Sequence, residues 1–188
     1  MRELKTFLVR QSRNDSHGRR RRGGASSGEE IVAPAVSFAI ARLGRTALGM
    51  SRILQSSGWN DLRRHLSARL SFALAPTLCV LQNAAKAAGC LDEITLLEAI
   101  SEFPDLLDTT ARIISTWVDA QRELLVRIRR DEKEISRMFV AAHRPLSVRH
   151  IRPGLSDPHD GGRTATMVEF GAARRLIYKP RSANGETA

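Results

Sequence analysis

Apolar residues recur at spacings of three and four from Ile31 to about Phe139, and this period predicts a helical region. Ala35, Phe38, Ala39, Leu43 and Leu48 predict a first, irregular helix, interrupted near Gly44 and Gly49. Ser57-Gly58-Trp59-Asn60 reads as a break. A second helix is predicted from Asp61 to Ala88, with Leu62, Leu66, Leu70, Leu74, Leu78 and Leu81 on one stripe. Pro76 predicts a kink or a split in it, and Gly89 a C-terminal stop. A shorter helix is expected from Leu91 to Phe103, and Pro104 suits the start of another. From Leu106 through Trp117, Leu125 and Ile135 to Phe139 the helical period holds across a charged segment. Arg127 to Glu134 alternates in sign, which places that stretch in solvent.

After His143 the period changes from helical to two-residue alternation. Ser147 to Ile151 predicts a strand, 154–162 a glycine-, proline- and aspartate-rich loop, and Thr164 to Phe170 a half-buried strand. Gly171-Ala172-Ala173 predicts a tight turn, and Arg174 to Lys179 a third strand ended by Pro180. The predicted fold class is therefore α+β: a mostly α-helical N-terminal region followed by an antiparallel β-meander. The expected divisions are residues 1–30, a disordered basic leader; 31–143, the helical region; and 144–188, the hairpin segment.

Composition adjusts this picture in a few places. Residues 11–30 are polar, rich in glycine and serine, and without a period, hence the disordered leader. A chain of 188 residues with 42% hydrophobic content suits one ordinary domain, or one small domain with tails. The net charge of +10 admits nucleic acid, acidic membranes or phosphorylated ligands as partners without choosing among them. No nucleic-acid-binding motif or aromatic platform accompanies the charge, so no nucleic-acid partner is expected. Cys79 and Cys90 are too few for a disulfide framework, and their apolar helical surroundings predict buried, reduced side chains. No uncharged apolar run is long enough for a transmembrane segment, and a cytoplasmic location is expected.

The candidate chemistry lies in the last forty residues. A strand, a glycine-rich loop, a second strand, a short turn and a third strand ending in lysine make a phosphate-handling arrangement of the kind protein kinases use. Gly154, Gly161 and Gly162 allow backbone N–H groups to approach an anion closely, since no Cβ intervenes. Lys179 supplies a flexible point charge at the strand end. Asp157 fits either a turn former or an acid beside the anion, and His159 fits either a solvated loop residue or a proton carrier.

The residues Gly154-Leu-Ser-Asp-Pro-His-Asp-Gly-Gly-Arg163, Val168-Glu-Phe170 and Leu176-Ile-Tyr-Lys-Pro-Arg-Ser182 resemble the dehydratase domain of class II lanthipeptide synthetases, the LanM family. Asn83 to Leu91, Glu102 to Leu106, Trp117, and Arg127 with Asp131 extend the resemblance over about residues 60–182. It implies a kinase-like domain that phosphorylates Ser and Thr of a lanthipeptide precursor peptide with ATP and Mg²⁺ and then eliminates the phosphate. In that pattern Asp157 and His159 would be catalytic, and Lys179, Arg181, Gly161 and Gly162 would bind the cofactor, with no metal ligand among these residues. The family's catalytic loop, metal-binding acid and elimination pair have no counterpart before residue 188, so a truncated dehydratase inactive by itself is expected. The alternatives are a non-catalytic module that binds a peptide or partner and, behind it, a basic nucleic-acid binder.

Overall fold

The structure, a computed structural model, describes residues 2–15, 28–46, 49, 53–87, 95–139, 146–158, 160–171 and 174–180. Six helices precede three strands among them: α1 (Arg2–Asp15), α2 (Gly28–Thr46), α3 (Ser56–Ala87), α4 (Leu96–Glu102), α5 (Asp105–Arg130), α6 (Glu132–Phe139), β1 (Val148–Arg152), β2 (Thr166–Phe170) and β3 (Arg174–Tyr178). The strands form one antiparallel sheet in the order β1-β2-β3. This is the α+β class expected from the change of period after His143.

The chain divides into two compact units, Met1–Ala39 with Leu66–Ser115, and Ile40–His65 with Thr116–Ala188. In the first, Leu66, Leu70, Leu74 and Leu78 of α3 are buried in the stripe that their four-residue spacing predicts. α4 starts at an N-cap, Thr95, whose hydroxyl accepts from Glu98 N at 3.2 Å while Glu98 Oε2 accepts from Thr95 N at 2.7 Å. This reciprocal capping box sets the start of α4 at Leu96, five residues beyond the expected Leu91.

Three further expectations change within this unit. α1 occupies residues 2–15, where a disordered leader was expected; Leu4 and Leu8, one turn apart, are buried, and Phe7 stacks at a tilt 5.3 Å from Phe38. Residues 16–27 of the leader lie outside the described residues. Of the kink or split expected at Pro76, the split does not occur: α3 runs through it, and Pro76 sits on an exposed position where a lost backbone hydrogen bond can be made up by water. Cys79 is exposed rather than buried, because it follows Leu78 by one residue and so falls off the buried stripe; Cys90 lies outside the described residues.

The second unit holds the sheet. Trp117, Leu125 and Ile128 of α5 and Ile135 of α6 are buried there, as are Val148, Ile151, Val168 and Phe170 of the sheet. Acids open α5 (Asp105, Asp108) and arginines close it (Arg127, Arg129, Arg130), which complements the helix dipole. The outer edge of β1 is covered by residues 53–61. Val148 N donates to Ile53 O at 2.8 Å and Gln55 N to Val148 O at 2.9 Å. Ser57 Oγ donates to Arg149 O at 2.5 Å, and Ile151 N to Asp61 Oδ2 at 3.3 Å. The expected break at 57–60 is therefore the first turn of α3. Gly58 is there because a Cβ would run into the Leu54 side chain and press on Arg149 O, 3.4 Å away. The glycine that resembled a breaker permits a close approach to β1 instead.

Candidate functional site

The loop between β1 and β2 is closed at its neck by side-chain hydroxyls. Gly154 N donates to Thr164 Oγ1 at 2.8 Å, Leu155 N to Ala165 O at 3.0 Å, and Ala165 N to Ser156 Oγ at 2.9 Å. Ser156 Oγ in turn donates to Asp157 O at 3.1 Å. Below this neck sits His65. Trp117 Nε1, which can only donate, gives its hydrogen to His65 Nδ1 at 3.0 Å, so the ring is neutral with its proton on Nε2. That Nε2 lies 3.5 Å from where a Cβ on Gly154 would stand. Gly154 itself has a φ of 86°, a left-handed conformation that suits glycine.

Beyond the neck the chain turns through Gly161 and Gly162 with φ of 72° and 73°. This delivers Arg163 to the entry of β2. Its guanidinium folds toward Gly161, with Nε 3.9 Å from the position of a Cβ there. The same guanidinium reaches α5, where Arg163 Nε is 3.5 Å from Glu123 Oε2. Glu123 also pairs with Arg127 one turn further along α5. Arg127 NH1 then donates to the carbonyl of Lys179 at 3.4 Å, just after β3.

These contacts outline a small open cleft of about 30 Å³, lined by Ala120, Gln121, Glu123, Leu124 and Arg127 of α5, and by Arg163, Thr164, Thr166, Tyr178, Lys179 and Pro180 from the loop and sheet. Three of the lining side chains are cationic and one is anionic, so the cleft favours an anion. Gln121 is 4% exposed, and its Oε1 has no hydrogen-bond partner within the protein. Tyr178 faces Thr166 across the sheet. Burial, aided by Asp131 and opposed by Arg130 and Arg127, pushes its phenol up to about 12, so the hydroxyl stays protonated as a donor.

Of the residues singled out from the sequence, Lys179 lines the cleft, exposed at the end of β3. Gly161 is not among the lining residues, and its turn precedes Arg163, which is. Gly162 and the exposed Asp157 belong to the loop and are not among the lining residues. His159 and Arg181 lie outside the described residues. Sequence reasoning missed Glu123 and Gln121 as site residues, and saw Arg127 as part of a solvated charge run and of the resemblance, but not as a site residue. The one signal was the Glu123/Arg127 pair at helical spacing, which is common on any helix surface. Among the described residues no three His, Cys, Asp or Glu side chains gather into a metal site. No described helix is long and apolar enough to cross a membrane.

Fold and cleft together define an α+β protein with a basic, anion-suited cleft between a helix and a three-stranded sheet. The model of a family described as a domain of unknown function, DUF4135, matches residues 103–188, from the residue before Pro104 through α5, α6 and the whole sheet. No curated protein matches the chain.

Proposed function

We propose that this chain supplies the ATP-phosphate grip of a lanthipeptide dehydratase, the kinase-like enzyme that phosphorylates Ser and Thr of a precursor peptide before eliminating the phosphate. The observation that carries the reading is the convergence of Lys179, Arg163 and Arg127 on one cleft beside the glycine turn. Lysine and two guanidiniums from three separate elements suit a polyphosphate, which offers several oxygens to point charges and forked donors. The resemblance over Gly154–Ser182 supports the same assignment, and the matched domain of unknown function spans that stretch.

The direct test is binding of ATP, with and without Mg²⁺, by calorimetry on the chain and on Lys179→Ala. Binding weakened about tenfold or more by the substitution supports the grip, since a charge-assisted contact of this kind is worth about 1.5–3 kcal/mol. Absence of binding by the unaltered chain, or binding indifferent to Lys179, refutes it.

A second reading, a non-catalytic module for a peptide or protein partner, draws on one observation. Ser71 to Ala85 of α3 carries no charge in a chain of net charge +10, and Phe72 on that stretch is 86% exposed. Precursor-peptide binding that survives Lys179→Ala but is lost on Phe72→Lys would favour that module.

A further inference from the structure

Among the described residues Glu123 is the one acid lining the cleft, and it stands where the cations converge. Its two carboxylate oxygens are engaged by different elements, Oε1 by Arg127 of α5 and Oε2 by Arg163 at 3.5 Å from the loop. All three side chains are partly exposed, at 38%, 34% and 42%. Ion pairs of that exposure hold weakly, and the three-carbon reach of a glutamate lets it swing into solvent.

We infer that the Glu123 carboxylate occupies the seat of a phosphate group, and that a phosphate enters by exchanging with it. The inference rests on the phosphate-gripping role proposed above. An incoming phosphate brings more charge and more acceptor oxygens than a carboxylate, and guanidinium forks accept it in the same geometry. The carboxylate takes up donors of both guanidiniums, and its departure frees the space between them for another anion. Gln121 adds an independent sign. Gln121 is one of the lining residues, and its buried amide oxygen is unpaired, a costly state for an acceptor. A half-turn of that amide would offer its N–H donors to a phosphate oxygen. Lys179 stands on the same lining and adds a third cation for such an anion.

The consequence is that Glu123 competes with the ligand, so neutralising it strengthens binding. Inorganic pyrophosphate is the probe, titrated by calorimetry into the unaltered chain, Glu123→Gln, Arg163→Ala and Lys179→Ala, with circular dichroism as the check on folding. Glu123→Gln should bind pyrophosphate about two- to fivefold more tightly, the factor a partly exposed ion pair withholds. Arg163→Ala and Lys179→Ala should bind it more weakly. If Glu123→Gln does not fold, Glu123→Asp, too short to span both guanidiniums, should give the same direction. A folded Glu123 variant that binds pyrophosphate no more tightly than the unaltered chain, while Lys179→Ala still loses binding, overturns the exchange and leaves the phosphate grip standing. Pyrophosphate binding absent from every protein, the unaltered chain included, overturns both.

Discussion

Asp61→Ala should weaken the second unit by about 2 kcal/mol, through the loss of one carboxylate oxygen. Asp61 Oδ2 accepts from His150 Nδ1 at 2.8 Å and from Ile151 N at 3.3 Å, which ties the first turns of α3 to β1. An ionised carboxylate only accepts, so Nδ1 is the nitrogen that carries the proton. The magnitude divides unequally. Ile151 is 0% exposed, and a buried backbone N–H left without an acceptor costs about 1–3 kcal/mol. The His150 side chain is 34% exposed, so water can replace its partner at about 0.5 kcal/mol. Arg64, 83% exposed and 4.0 Å from Oδ1, adds little. With a urea dependence near 2 kcal/mol per molar, the midpoint should fall by about 1 M. Tryptophan emission reports the transition, and hydrogen exchange at the Ile151 amide reports the contact itself. Asp61→Asn keeps an acceptor for that amide and should lose about half as much. An Asp61→Ala protein whose midpoint moves by less than about 0.2 M, with Ile151 exchange unchanged, would refute this account of the β1 edge.

Thr95→Ala removes the reciprocal cap of α4 and should cost about 1 kcal/mol, seen as faster amide exchange in the first turn of that helix. Phe170→Ala, at a side chain 1% exposed, should cost about 3–5 kcal/mol in urea unfolding, and a loss under 1 would deny the sheet its buried face. Tyr178 is the chain's single tyrosine, so phenolate absorbance reads it alone. Its pKa is raised from 10.0 to about 12, and the folded state therefore holds the phenolic proton more tightly than the unfolded. Tyr178 should contribute no pH dependence below pH 10, and stability should fall as pH rises from 10 toward 12. A phenolate midpoint near 10.0 in the folded protein would deny the burial assigned to that side chain.

The succession of helices and strands was legible because each element is written in a local period. The leucines of α3 repeat every fourth residue, and β2 alternates buried and half-buried positions through Thr166, Val168 and Phe170. Boundaries were less legible where a residue had two uses. Gly58 resembles a breaker, yet its missing Cβ lets α3 approach β1. Thr95 and Glu98 carried an explicit capping signal, three residues apart, which the apolar run before it obscured. Leu4 and Leu8 bury α1 although the basic, glycine-rich stretch that follows them reads as disordered.

The site was legible only along the strand direction. Lys179 could be placed at a strand end and Gly161 in a turn, since both follow from local chemistry. Glu123 and Gln121 could not, because a helical repeat says which face a residue shares and not what lies opposite that face. Trp117, Leu124, Leu125 and Ile128 turn one side of α5 inward, and once that packing is set, Glu123 and Arg127 have only one flank to occupy. The flank is shared with the entry to β2 and the exit from β3, about forty and fifty residues later in the chain. The acid among these cations is therefore positioned by the core rather than by the loop motif. A substitution at Trp117 that loosens the helix should disturb anion binding even though it touches none of the cations. Trp117→Phe, which also removes the donor to His65 Nδ1, should weaken pyrophosphate binding along with stability. If it costs stability while pyrophosphate affinity stays unchanged, the packing of α5 does not set the cleft.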